Sequence, residues 1–583
     1  MSNKNLIVER INFRIILFYF YRFKIFYLKD NIYSKLLKKF NIKKLDWNIK
    51  DEINSENNLV QSFFEKNKIG HLIEDFFNDE IVFFNNLNSE DCFYFKEYLK
   101  VHLPSEKYCF GKLSLKEFLI VIDQVNKLIK ENKTFFFEQN IFSQFISKKF
   151  KDENCNFIFF NSLRFLTRFD LIKLFLKNLK YLKKNKKNNL DKKLCIIDSY
   201  QINKPHELID DNTLFEKTVF CSHHYYDKSI KCIMDGLSLK LYFNIFKKNL
   251  KIFFSLKKYF LKFFYFEYIL YKEIYYNFFK NNNIKVFMSS SISKNYIVSA
   301  NAASKKLGLH SVGFTCSLNT YYNDELGIKS FDTFINFSPL HKELKKKSIN
   351  YKNFGYIGDY KFQNILNSGK AIRNQLNQNS IKFVIGFFDQ GFSNDKRFGL
   401  TFSDAQVHGY AFLLNKVIQN EDLGLLIKPK KPKILTKILN EKFSEINKLL
   451  NQAIKTQRCI IFDNHDPKHV KNFIDIPAKI AEASDMTIHD TMLAGTAGLE
   501  SALMNKRSLL FDYYNSSQNF IFKNKDLNIV FDDWDKLWDE LMNFRKNNKK
   551  SNLGDWSSIL KYFDEFNDGK TNKRLQNFLN SKI

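Results

Sequence analysis

The residues best suited to chemistry lie between positions 481 and 512, in AEASDMTIHDTMLAGTAGLESALMNKRSLLFD. Gly495, Thr496, Ala497 and Gly498 form a small-residue entry to a helix whose apolar positions are Leu499, Ala502 and Leu503. The first N–H groups of a helix have no intrahelical partner and carry partial positive charge, so such an entry lets an anionic group approach the backbone. Glu500, in the first turn, offers a carboxylate to sugar hydroxyls. A plainer explanation stands beside this one. Small residues also permit tight helix–sheet packing, and Glu500 also complements the helix dipole. A second run, Lys428-Pro429-Lys430-Lys431-Pro432, places three lysines in a loop stiffened by prolines. Its plain reading is a solvated loop in a lysine-rich chain.

The pattern around these residues predicts the elements that position them. A helix from Pro477 ends at Ser484-Asp485, and residues 486–488 form a short strand. A polar loop from His489 to Gly498 leads into the helix, and 508–511 form the next strand, completing a βαβ unit of a parallel sheet. The same alternation fills the rest of this half of the chain, with strands predicted at 383–388, 424–427 and 459–462 and helices at 404–419 and 436–454. Before it, strands are predicted at 194–197, 218–221, 286–288, 310–314, 332–337 and 353–357. Helices are predicted over 236–280, over 296–307 with Gly308 as its stop, and through 341–347. Most of these strands run into polar or small residues at their carboxyl ends, the signature of a doubly wound sheet that binds ligands at that edge. The polar stretch 363–380 separates the two units.

Four regions result: 1–190, mostly helical and of unassigned role; 191–375 and 376–545, two Rossmann-like domains; and 546–583, a helical tail. The first region carries amphipathic helices at 115–129 and 165–182 and strand-compatible runs at 81–84 and 157–160. Residues 183–193 read as a linker.

Composition narrows the function classes. At 583 residues the chain is long enough for several domains, and 44% hydrophobic content sets it apart from disordered chains. The net charge of +30 invites nucleic acid or an anionic membrane as partner. Lys, Asn, Ile and Phe are all abundant while Pro and Gly are scarce, as codons poor in G and C produce, so no nucleic-acid partner is expected. Attraction to acidic lipids or phosphorylated substrates survives this argument. The eight cysteines are scattered without a CxxC pair, which argues against a zinc ribbon or a disulfide framework and for a reducing compartment. The N-terminus lacks the layout of a signal peptide, and Arg14, Arg22 and Lys24 interrupt the apolar run at 11–28. A cytoplasmic protein is expected, with room for peripheral contact at the inner face of the plasma membrane. Lys257, Lys258 and Lys262 beside Phe260, Phe263 and Phe264 are candidates for an interfacial role, although a long aromatic helix there is more often a buried brace.

Three stretches carry a family likeness. AASKKLGLHSVGF (302–314), LLIKPKKP (425–432) and ASDMTIHDTMLAGTAGLESALMNKRSLLFD, with the tail DEFNDGKTNKRLQNFL (564–579), resemble GT-B glycosyltransferases. In particular they resemble bacterial surface-polysaccharide biosynthesis proteins of the capsule and lipopolysaccharide type. The likeness covers roughly 194–583 and implies two Rossmann-like domains facing across a cleft. It also implies a nucleotide-activated sugar held by the C-terminal domain and a growing glycan or lipid-linked acceptor held by the N-terminal one. Glu500 matches the family's donor-side glutamate. Thr315-Cys316-Ser317 stands where many relatives carry a histidine-bearing loop.

On that reading Lys428, Lys430, Lys431, His489, Gly495, Thr496, Ala497, Gly498 and Glu500 bind the donor. Lysines and helix N–H groups aimed at the diphosphate stabilise the charge that develops as the glycosidic bond breaks. Transfer to a hydroxyl is helped by a base, and Asp198, His223 (with His224) and Asp389 are the alternatives, each also explicable as a turn or capping residue. No cofactor is expected. His465 and His469 have metal-ligand spacing, but Asp466-Pro467 between them suggests a loop entering a helix, and no DxD-type pair follows a strand. The rival expectations are a sugar-nucleotide epimerase or polyol-phosphate transferase on the same fold, and a non-enzymatic basic protein that binds membrane or nucleic acid.

Overall fold

The computed structural model describes residues 68–102, 192–197, 212–222, 238–255, 259–290, 294–314, 327–336, 350–356, 363–389, 403–430, 432–462, 477–490, 495–512, 527–547 and 551–583, with short pieces at 5–8, 24–27, 42–44, 133–138, 155–160, 174–176, 179, 231–233 and 391. Within these residues the chain builds three parallel sheets.

The first sheet comprises β1 (Asn5–Val8), β2 (Lys24–Tyr27), β3 (Ile42–Lys44), β4 (Lys133–Glu138) and β5 (Cys155–Phe160), in the order β3-β2-β1-β4-β5. Helices α1 (Lys68–Asp79), α2 (Ile81–Phe84) and α3 (Ser89–His102) belong to the same region. The strand at 157–160 was expected; the sheet around it was not. Short runs such as KIFY and KTFFFE sit in a background where Phe, Ile and Lys recur everywhere, so periodicity alone does not separate strand from helix. The run at 81–84 forms a helix because only Phe83 and Phe84 turn inward, meeting Phe95 at ring distances of 6.2 and 6.0 Å, while Ile81 and Val82 stay exposed. The helix predicted at 115–129, most of that at 165–182, most of the 183–193 linker and the helix at 341–347 lie outside the described residues.

The second sheet holds β6 (Leu194–Ile197), β7 (Thr218–Ser222), β8 (Lys231–Cys232), β9 (Val286–Ser289), β10 (His310–Phe314), β11 (Thr333–Asn336) and β12 (Tyr351–Asn353), in the order β12-β11-β10-β9-β6-β7-β8. Its central strands are continuous apolar runs because helices cover both faces of a parallel sheet. Those helices include α4 (Leu239–Ser255), α5 (Tyr259–Asn281) and α6 (Asn295–Leu307), the last closed by Gly308 at φ +68°. The brace reading of α5 holds: Lys262 is 7% exposed and Phe264 is buried, while Lys257 and Lys258 lie outside the described residues. Helix α3 is bolted to α5 by polar bonds. Asp91 accepts from Lys272 at 2.6 Å and from Tyr268 at 3.0 Å, and the Tyr98 hydroxyl donates to Glu267 at 2.5 Å.

The third sheet is β15-β14-β13-β16-β17-β18. Its strands are β13 (Phe383–Phe388), β14 (Leu423–Lys428), β15 (Cys459–Ile461), β16 (Met486–Asp490), β17 (Arg507–Phe511) and β18 (Val530–Phe531). The helices are α7 (Gln363–Gln378), α8 (Ser403–Gln419), α9 (Pro432–Lys442), α10 (Ser444–Lys455), α11 (Pro477–Ala483), α12 (Thr496–Leu503) and α13 (Trp534–Lys546). The separating stretch at 363–380 is α7. Within it Gly369 and Leu376 are buried and Ile372 is half-buried, and a Cβ on Gly369 would stand 2.6 Å from the Lys479 carbonyl of α11, so the two helices are in close contact. The expected helix at 436–454 is two helices, broken at Phe443.

Two doubly wound domains of this kind are the expected fold class, and two segments join them. Residues 354–356 lead from β12 toward α7. The tail ends in α14 (Thr571–Asn580), which returns to the second sheet, where Leu575 and Leu579 are buried against Leu194, Ile196, Val286 and Val312. Leu575→Ala is expected to cost about 2–5 kcal/mol in urea unfolding through lost burial and the cavity left behind. A loss below about 1 kcal/mol would show that the tail does not seal this core.

Candidate functional site

In a doubly wound sheet, the loops leaving two neighbouring strands where the order reverses diverge to opposite faces, leaving a crevice at their carboxyl ends. In the third sheet this reversal lies between β13 and β16, which end at Phe388-Asp389 and His489-Asp490. In the second it lies between β6 and β9, where Ser289 Oγ donates to the Ile197 carbonyl at 3.0 Å. Asp198 follows β6 directly and His223-His224 follows β7; all three lie outside the described residues, as do Lys431, His465 and His469.

Asp389 is 4% exposed and both its oxygens are engaged. Oδ1 accepts from the backbone N–H of Lys430 at 2.6 Å and of Gly391 at 3.0 Å, and Oδ2 accepts from the Tyr410 hydroxyl at 2.8 Å. Burial raises its pKa, against these three donors and the nearby charge of Lys428. Among the candidate bases, Asp389 is thus occupied in bracing the lysine loop. Lys428 ends β14, with Nζ donating to the Pro429 carbonyl at 3.2 Å, and Lys430 is exposed.

Strands β14 and β16 are not neighbours; β13 lies between them. The lysine loop and the glycine loop are therefore two strand spacings apart, about 10 Å. Their charges still meet: Lys428 acts on Glu500 and Lys430 on His489.

Gly495 caps α12 in the left-handed region at φ +62°, which a side chain would strain. A Cβ on Gly498 would stand 2.7 Å from Leu510 Cδ2 and 3.1 Å from Ser508 Oγ, so the packing explanation accounts for this glycine by itself. Thr496 and Ala497, partly exposed, begin the helix.

His489 is buried and edge-on to Phe388 at 6.1 Å. Burial and the Lys430 charge push its pKa down to about 3, with a hydrogen bond to the Gly495 backbone opposing them, so the ring is neutral and fastens the loop from within. Glu500 is partly exposed, and its Oε1 accepts from the Tyr356 hydroxyl at 2.7 Å. Burial lifts the Glu500 pKa to about 7, against the Tyr356 hydrogen bond and the Lys428 charge. Tyr356 escaped the sequence reading because it fell inside a predicted strand at 353–357; Gly355 before it, at φ +90°, was the available signal that the strand had ended.

Behind this surface lies a buried carboxylate pair next to Asp389. Burial, then the charges of Asp389 and Asp512, holds Asp490 well above the usual carboxylate range. The arrangement thus offers helix amides and two lysines to an anion, with a carboxylate one turn along for hydroxyl groups.

No family model matches the chain, and a search of curated proteins returns no match. Among solved structures, the chain is similar to the wall teichoic acid polymerase TagF, with 12% identity over 72% of this chain and 98% of that one, TM-score 0.40. It is similar to MnaA of S. aureus solved with UDP, with 12% identity over 67% and 97%, TM-score 0.36. It is also similar to MurG of Acinetobacter baumannii, with 10% identity over 67% and 99%, TM-score 0.37. The fold class rests on the strand orders of the second and third sheets.

Asp490 gives a test of the electrostatics at this edge. An acid whose folded pKa is raised takes up a proton on folding, so its cost to stability grows as pH rises from the unfolded value of about 3.9 toward the folded one. Asp490→Asn removes that cost. The melting temperature of the variant relative to the parent is expected to climb between pH 5 and pH 8; a pH-independent difference would contradict the assignment.

Proposed function

We propose that this chain is a GT-B-type glycosyltransferase that moves a sugar from a nucleotide-activated donor to a growing surface polysaccharide or lipid-linked glycan. The observation that carries the reading is that Lys428 and Lys430, at the end of β14, act electrostatically on Glu500 and His489, beside the N-terminus of α12 and the order reversal of the third sheet. Amides at the start of α12 and the lysines take the diphosphate, and the leaving charge develops against them. Glu500 takes the nucleotide's sugar hydroxyls. Asp389 and His489 hold the two loops, which leaves Asp198 and His223, the residues that follow β6 and β7 in the sequence, as the candidate bases.

A peripheral membrane contact fits a lipid-linked acceptor. Among the described residues no helix is long and apolar enough to cross a membrane. Helix α4 exposes Leu239 and Phe243 beside Lys240, Lys247 and Lys248, and it carries no acidic residue. Co-sedimentation with vesicles containing phosphatidylglycerol is expected, and its loss in Phe243→Glu; equal binding to neutral vesicles would sink this contact.

Donor binding is tested by thermal shift and titration calorimetry with UDP, GDP, CDP and CMP. At least one should bind, and Glu500→Gln and Lys428→Ala should each weaken it about tenfold or more while the melting temperature stays near that of the parent. Because only the ionised carboxylate accepts hydrogen bonds on both oxygens, affinity should rise as pH passes upward through about 7. Unchanged affinity in both variants would refute the site. Incubation with labelled nucleotide-sugars then separates net transfer to a glycan from epimerisation of the donor.

A further inference from the structure

Tyr356 lies just beyond β12, where the chain leaves the second sheet, yet its side chain packs with elements of the third. It is 2% exposed and packs in one cluster with Leu499, Ala502 and Leu503 of α12 and with Trp556 and Phe563 of the tail. Its hydroxyl donates to Glu500 Oε1 at 2.7 Å. The backbone on which it stands is pinned separately. The Tyr356 N–H donates to Asp564 Oδ2 at 3.3 Å, and the Phe354 carbonyl accepts from Arg574 Nε at 2.9 Å. Gly355 passes so close to the tail that a Cβ there would stand 2.7 Å from Thr571 Oγ1 and 2.8 Å from Asp564 Oδ1. The segment is thus clamped between the tail and α12, and a single hydroxyl reaches from it to the carboxylate.

From this geometry we infer that Tyr356 is the positioning residue of Glu500: the interdomain segment aims the donor-side carboxylate. The inference rests on the proposed role of Glu500 in binding nucleotide. One consequence is that the orientation of the carboxylate depends on the joint between the two domains. Among the described residues, the charged or titratable groups that act on Glu500 are the Tyr356 phenol from the segment and Lys428 from the end of β14; Asp564 on the tail faces the Tyr356 amide.

Tyr356→Phe keeps the ring and its packing and removes only the hydroxyl. Melting temperatures of Tyr356→Phe, Glu500→Gln and the double variant, measured without ligand at pH 6.0 and 8.5, form a cycle that isolates the bond. Destabilisation by Tyr356→Phe should be larger at pH 8.5, where the carboxylate is ionised, and should lose this pH dependence in the Glu500→Gln background, where the amide oxygen still accepts but does not titrate. A purely structural tyrosine gives the same loss at both pH values and in both backgrounds, and that result overturns the inference whatever the fate of the donor site. Calorimetry with UDP, GDP, CDP and CMP supplies the second arm. Tyr356→Phe should weaken the binding nucleotide about 5- to 10-fold at pH 7 and move the pH inflection upward, because a bond that favours the ionised form is gone. If the cycle shows coupling but Glu500→Gln binds nucleotide as the parent does, the donor-site reading fails while the positioning of the carboxylate stands.

Discussion

The buried carboxylate of Asp389 sets the geometry on which the carboxyl edge of the third sheet depends. It stands at the end of β13, the strand between the two loops of interest, and it accepts three hydrogen bonds, two of them from backbone N–H groups. One of those amides is that of Lys430, so the path of the lysine loop after β14 is fixed by a group on the neighbouring strand. Burying an acid is costly unless its acceptors are used, and here they are used to shape a loop. On the other side of β13, the neutral His489 performs the same service for the glycine loop through the Gly495 backbone. The groups most suggestive of proton chemistry in the third sheet, Asp389 and His489, are therefore engaged in shaping its loops.

A second constraint ties the domains to one another. The tail crosses back to bury Leu575 and Leu579 against the second sheet, and on its way it clamps the segment at 354–356. A rigid joint of this kind transmits small adjustments because packed side chains and hydrogen bonds leave few alternative arrangements. The hydroxyl of Tyr356 brings that joint within one bond of Glu500.

Much of the two later domains was legible in the sequence because buried parallel strands read as short apolar runs that end in polar residues. The runs LCII, HSVGF and FVIGFF all lie within one residue of their predicted bounds. Three kinds of feature were not legible. The first sheet hid in a background rich in Phe and Ile, where short strands lack punctuation by Gly or Pro. Helix α7 hid because Asn, Gln, Ser and Gly fill most of its positions around a few apolar residues. The bond from Tyr356 to Glu500 hid because its partners are 144 positions apart, and only the fold brings them together. The loop at 495–498 was legible as a place but ambiguous in meaning. The structure divides it: Gly498 is required by packing on Leu510, Gly495 by its backbone conformation, and Thr496 and Ala497 remain at the surface.

The proposed function requires a nucleoside diphosphate to sit where the third sheet reverses its order. Crystals of the full chain soaked separately with UDP, GDP and CDP test it most directly. Diphosphate density is expected against the amides of Thr496 and Ala497 within reach of Lys428 or Lys430, with ribose hydroxyls at Glu500. Well-ordered nucleotide bound elsewhere, with this edge unchanged, would contradict it.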